Sequence, residues 1–250
     1  VDAVLAKVQT SRMFKIATAG ATALLAAVYI IFGIVYKPTL NMAEAGLSSQ
    51  TVAQDKVGEI FSSYKLPRFT ETLTGDLQEP ISLIFVAKND QAFIDGFKKI
   101  GWFVADEIDF NSLKIAIQAE VMSKEYVNAP ITPSFWNTYT NDFGFEKPTS
   151  ISNIKYRHHA RFWKTDFVTN EGEQVYAGVT SLDVGMKWWG IAHKIKPDID
   201  TEREYLFSEL QKSGLVQKYS KEQLVAPVLG ANFTGDQFFT DGGAYVIDLR

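Results

Sequence analysis

Cysteine is absent from the 250 residues, so the chain has no disulfide, no thiolate metal site and no thiol nucleophile. An excess of positive charge is also lacking. With 25 Lys and Arg against 29 Asp and Glu, the balance argues against a nucleic acid partner, whose phosphates need a basic face. Familiar catalytic signatures are missing: there is no G-x-S-x-G nucleophile elbow, Walker loop, H-E-x-x-H or dinucleotide fingerprint. Asp198-Ile199-Asp200 lacks the later Gly and Glu of a calcium loop, and reads as a helix start. No repeat of about 20–50 residues stands out. No cofactor is expected.

Charge and proline are absent from one further stretch, Ile16 to Tyr36, which reads IATAGATALLAAVYIIFGIVY. At about 1.5 Å per residue it spans roughly 31 Å as a helix, the thickness of a bilayer's hydrocarbon core. A cleaved signal peptide is the rival reading, with Ala43-Glu44-Ala45 as the small-x-small site, but a signal core has only about 7–15 apolar residues. The run therefore predicts a transmembrane helix in contact with the lipid bilayer. Lys7, Arg12 and Lys15 precede it and only Lys37 follows closely. This bias places residues 1–15 in the cytoplasm as a short tail and the remainder in the periplasm. The part beyond the helix holds 22 basic against 28 acidic residues, a net charge of about −6. Ala19, Ala23 and Ala27 fall on one helix face, a spacing that lets another membrane helix approach closely.

Residues 37–78 read as a stalk with a short helix near Val52 to Tyr64, and the packed domain is expected over 79–250. Ile81 to Ala87 is an apolar run of the kind found in a strand covered on both faces. Asn89 suits an N-cap for a helix carrying Phe93, Phe97 and Ile100 and ended by Gly101, and Asn111 or Ser112 can cap a second helix. Ile154–Val168 and Gln174–Val184 read as strands joined by a turn at Asn170-Glu171-Gly172, and Gly190–Ile195 as a third run. Thr201 and Glu204 have capping-box spacing for a late helix, and the tail reads as a hairpin around Asp241-Gly242. Elements that mix without strict alternation give α+β, with a mixed or antiparallel sheet and packed helices after the single membrane helix.

The densest polar cluster is Arg157-His158-His159-Ala160-Arg161-Phe162-Trp163. In a strand, Arg157, His159, Arg161 and Trp163 share one face, a candidate anion or ligand site because guanidinium pairs bidentately with carboxylate or phosphate. The competing reading is an exposed face whose arginines pair with surplus acids. His158 falls with the apolar set, where a histidine is most often a hydrogen-bonded core residue. With strands in a suitable register, His158, His193 and Asp183 form a candidate metal site. Asn232-Phe233-Thr234 fits the glycosylation acceptor pattern. Trp188 and Trp189 are interface candidates, with core packing as the alternative.

In order along the chain, Ile81-Ser82-Leu83-Ile84-Phe85-Val86, Gly101-Trp102, Tyr156 to Trp163, Val175-Tyr176-Ala177-Gly178-Val179 and Asp183-Val184-Gly185 resemble the LssY C-terminal domain family. The likeness continues through His193-Lys194-Ile195, Asp198 to Glu204 and Phe239-Thr240-Asp241-Gly242. That resemblance implies a bacterial envelope setting in a family named for a type I secretion component. Its domain is also fused elsewhere to multi-pass regions resembling phosphatidic acid phosphatases and DedA proteins, and it brings no catalytic residues with it. The expected role is therefore a membrane-anchored accessory subunit whose partners are other integral membrane proteins. A phosphate- or metal-dependent hydrolase is the alternative.

Overall fold

In the computed structural model the described residues are 15–28, 30, 49–63, 66–122, 124–153, 155–187 and 192–249. The chain divides into two compact units, Val1–Ala45 and Gly46–Arg250. In the first, a helix covers 15–28 and 30, and Ala19, Ala23 and Ala27 are exposed on it. Among the described residues no helix is long and apolar enough to cross a membrane. Residues 29 and 31–36 of the expected span lie outside them, as do Trp188 and Trp189.

The second unit is α+β. It opens with β1 (Gln50–Val52), a 3-10 turn, α1 (Val57–Ser62), β2 (Phe69–Glu71), β3 (Leu77–Pro80) and β4 (Leu83–Ala87). There follow α2 (Asp90–Lys99), β5 (Phe103–Val104), α3 (Phe110–Met122), β6 (Phe135–Trp136), β7 (Tyr139–Thr140) and β8 (Phe143–Asn153). Next come β9 (Tyr156–Thr169), β10 (Gln174–Lys187), β11 (Ala192–Ile195) and α4 (Ile199–Lys212). The unit closes with β12 (Val216–Gln223), β13 (Val228–Ala231), β14 (Gln237–Thr240) and β15 (Gly243–Leu249).

The main sheet runs β12-β15-β4-β10-β9-β8-β5, with β11 beside β10 and β1 beside β9. Pairing is antiparallel except for β15 with β4 and β1 with β9. Alternation along β4 sets up two cores. Leu83, Phe85 and Ala87 face Phe93 and Phe97 of α2 and Leu206 and Leu210 of α4. Ile84 and Val86 face Val57, Ile60 and Phe61 of α1 together with Trp136. The helix-covered face is rich in rings: Phe93 stacks on Tyr176 at 4.2 Å and Phe97 on Phe145 at 4.1 Å, beyond what area burial alone contributes.

Several local expectations change. Of the stretch read as a stalk, residues 37–48 lie outside the described residues, and from β1 onward it is part of the packed unit, because β1 pairs with β9 and Val57 and Phe61 are fully buried. Asn89 caps α2, its side chain accepting from Ala92 N at 2.9 Å, as its residue type favours. For α3 the cap is Asp109, whose Oδ1 accepts from Ser112 N at 2.7 Å. For α4 the cap is Asp198, and Thr201 serves as its donor at 3.1 Å from N and 2.7 Å from Oγ1. Asp241-Gly242 is a corner between sheets, since β14 pairs with β13 while β15 pairs with β12 and β4. Gly242 has φ +77°, and a Cβ there would meet Val225 O at 2.2 Å, so the corner requires glycine.

Candidate functional site

The strand period places Arg157, His159 and Arg161 on the face shared with buried Trp163, as their alternation implies. Neighbouring strands add the rest. Glu146 on β8 lies opposite His159, and His159 lies opposite Ser181 on β10. Asp183 follows Ser181 by one pleat, and His193 arrives on β11, paired beside Met186. A row of ionisable side chains thus crosses four strands at one end of the sheet.

Most of the face is closed to solvent, although the side chain of His193 keeps 20% exposure. Arg157, His159, Glu146, Ser181 and Asp183 are all buried and Arg161 is half-buried, which rules out the exposed-face reading. The cover is backbone: Arg157 reaches Ala129 O and Pro130 O at 3.5 Å each, and Arg161 Nε donates to Thr132 O at 2.8 Å. A proline-bearing loop therefore supplies carbonyls that satisfy guanidinium donors.

Arg157 is the hub. Its Nη1 donates to Glu146 Oε2 at 2.5 Å and its Nε to Asp183 Oδ2 at 3.3 Å. Asp183 also lies 3.2 Å from His159 Nδ1 and 2.9 Å from His193 Nδ1. Burial works against its charge, but the His159 and His193 imidazoles beside it hold its carboxyl well below the usual range. Burial likewise pushes His159 down to about 4, so its ring is neutral at pH 7. Its Nδ1 faces Asp183 Oδ1 at 3.2 Å and its Nε2 lies 2.6 Å from Ser181 Oγ. Glu146 is pushed well above the carboxylate range by burial, against the opposing pull of Arg157.

Ser181, His159 and Asp183 lie in the order of a serine–histidine–aspartate relay, but no aligned hydrogen bond joins His159 Nδ1 to Asp183. They also lack access. Ser181 lies within a strand, not on a turn, and is 7% exposed. The adjoining cavity, lined by Glu125, Tyr126, Val127, Glu146, Pro148 and Arg157, has a volume of about 10 Å³. That is room for one water, whereas substrate pockets measure roughly 300–1,000 Å³. Four buried atoms have no aligned hydrogen-bond partner: Glu146 Oε1, His159 Nδ1, Asp183 Oδ1 and His193 Nδ1.

The proposed metal triad does not assemble. Asp183 and His193 meet, but His158 points to the opposite face, where its Nδ1 lies 2.7 Å from Glu202 Oε1 and its ring stacks on Tyr205 at 4.2 Å. It is a hydrogen-bonded core histidine, as its apolar neighbours implied. Among the described residues no group of three or more His, Asp or Glu is placed to hold a metal. The physical reason is Arg157, whose guanidinium already occupies the carboxylates a cation would need.

Ser181, Glu146 and the covering carbonyls were not identified from the sequence. Ser181-x-Asp183 on one strand face was a usable signal, whereas the register of β8 that brings in Glu146 passes through an irregularity between Pro148 and Asn153. Asn232 of the acceptor pattern is committed to its own turn, with Oδ1 accepting from Thr234 N at 3.1 Å and Asp236 N at 2.9 Å.

The chain thus presents an α+β domain with a mixed sheet and a largely buried ionic row. It belongs to the LssY C-terminus family, whose family model matches residues 63–243. No curated protein and no solved structure gives a significant match.

Proposed function

We propose that this chain is a single-pass, membrane-anchored accessory subunit of a bacterial membrane complex, with its domain in the periplasm, acting by binding other integral membrane subunits rather than by catalysis. The observation that carries this reading is the burial of the ionic row: its reactive groups are turned on one another, and the cavity beside Glu146 and Arg157, about 10 Å³, holds one water rather than a substrate. The apolar run 16–36 and its basic N-terminal flank support the anchor and its direction. The seam of Ala19, Ala23 and Ala27 is the surface on which a partner helix packs. In cells, the chain is expected to resist alkaline extraction from membranes, and its domain to be digested by protease added to spheroplasts. Release by alkali, or a domain protected from that protease, sinks the reading.

One observation favours a hydrolase as the second reading, the Ser181–His159–Asp183 arrangement. Covalent labelling by a fluorophosphonate that disappears in Ser181→Ala supports it, and an unlabelled wild-type chain removes it.

A further inference from the structure

Two hairpins share one design. The turn between β2 and β3 is Thr72-Leu73-Thr74-Gly75-Asp76, and that between β13 and β14 is Asn232-Phe233-Thr234-Gly235-Asp236. In the first, Thr72 N donates to Asp76 O at 2.9 Å and Gly75 N to Thr72 O at 3.0 Å. In the second, Asn232 N donates to Asp236 O at 2.9 Å and Gly235 N to Asn232 O at 2.8 Å. Thr72 Oγ1 accepts from the amides of Thr74 and Asp76, as Asn232 Oδ1 does from those of Thr234 and Asp236. The glycines sit at φ +87° and +81°. Each hairpin leads directly into a strand of the main sheet, and those strands, β4 and β15, are parallel neighbours. Such spaced likeness escapes a search for repeats of contiguous sequence.

Each tip presents a large apolar side chain to solvent. Leu73 is 60% and Phe233 64% exposed, with Leu77, Leu229 and Phe239 also exposed on the flanking strands. Asp236 pairs with Lys187 at 2.7 Å, and Asp76, exposed at the base of its turn, accepts from Thr74 Oγ1 at 2.7 Å and stays at the aqueous side of the boundary. Four amides in each turn are bonded inside the turn itself, and internal satisfaction of this kind is what an apolar medium demands of backbone entering it. A convex apolar tip with four of its five amides bonded internally suits the headgroup boundary.

We infer that both tips dock into the headgroup boundary of the bilayer, inserting Leu73 and Phe233. The inference rests on the anchored reading above. Residues 37–49 separate the apolar run from β1 and reach at most roughly 45 Å when extended, which keeps the domain within range of the surface. A net charge of about −6 outside the anchor makes anionic headgroups poor partners, so the lipid is zwitterionic and the contact apolar.

The absence of cysteine makes the test direct. Leu73→Cys, Phe233→Cys and Glu171→Cys are each labelled with an environment-sensitive fluorophore in the full chain and reconstituted into phosphatidylcholine vesicles. Glu171 lies on the exposed turn that opens β10, whose other end, Lys187, donates to Thr234 O at 2.8 Å. The expected result is that labels at 73 and 233 are quenched by lipid-borne nitroxide and at least threefold less by aqueous iodide than the label at 171. Equal iodide quenching at all three positions overturns the inference alone. Protection from iodide without quenching by the lipid also overturns it, because a protein then covers the tips. A chain that does not float with the vesicles overturns the anchored reading together with it.

Discussion

The domain holds two arginine networks, and they differ in how completely they are satisfied. Arg203 on α4 is 1% exposed and donates to Asp200, Glu204, Asp241 and the carbonyl of Gly243. Its carboxylate partners Glu204 and Asp241 are nearly half exposed, at 45% and 48%. Hydrogen bonds from Arg203 hold the Asp241 carboxyl well below the usual range, and the network pins the corner between β14 and β15. Arg157 faces partners that are buried with it, and four polar atoms around it lack an aligned partner. A charged clamp at the rim of a domain can fall back on water. A charged row inside it cannot, so each of its members depends on the others.

The sharpest way to break this comparison is to remove each arginine by the same substitution. Arg157→Met leaves Glu146 and Asp183 buried without their cation, and a loss of about 3–5 kcal/mol is expected from the urea midpoint of unfolding. A loss below about 1 kcal/mol refutes the claim that the row is interdependent.

Next in size is the pH response of the buried row. Burial lowers His159 from its ordinary 6.5 to about 4 in the folded state, so between those values the unfolded chain binds more protons. Stability from this group is full above about pH 6.5 and is lost as pH falls towards 4, roughly 3 kcal/mol in all. Glu146, raised well above the carboxylate range, contributes a slope of the opposite sign across this window, so the difference carries the test: urea midpoints of the wild type should fall more with acid than those of His159→Asn. An unchanged slope in the variant shows that His159 is not the group responsible.

The smallest effect belongs to the rim. Arg203→Met should cost about 1–3 kcal/mol, since water takes over Glu204 and Asp241 and the Gly243 carbonyl loses its donor. If it destabilises as much as Arg157→Met, exposure of the partners is not what separates the networks.

Much of this fold could be read in the chain before folding. Strand alternation put Arg157, His159 and Arg161 together and turned His158 the other way. The residue type of Asn89 marked the start of α2, and the ordered motifs of residues 79–250 pointed to the family that the match over 63–243 establishes. The burial of the row was not readable. Its cover is the carbonyls of Ala129, Pro130 and Thr132, and every residue carries a carbonyl, so nothing in the side chains announces that role. The early segment was misread because Val57, Ile60 and Phe61 gain their apolar surroundings only from strands far along the chain.

The order of amino acids by itself determined which side chains share a face, where helices begin and which stretch is apolar enough to suit lipid, because these depend on neighbours a few residues away. Only the tertiary structure decided that most of the arginine–histidine face is buried, that Ser181 and Glu146 join it, and that two distant hairpins share one tip design. Those outcomes depend on what packs across the sheet, and the water that a face keeps or loses is set by segments distant in sequence.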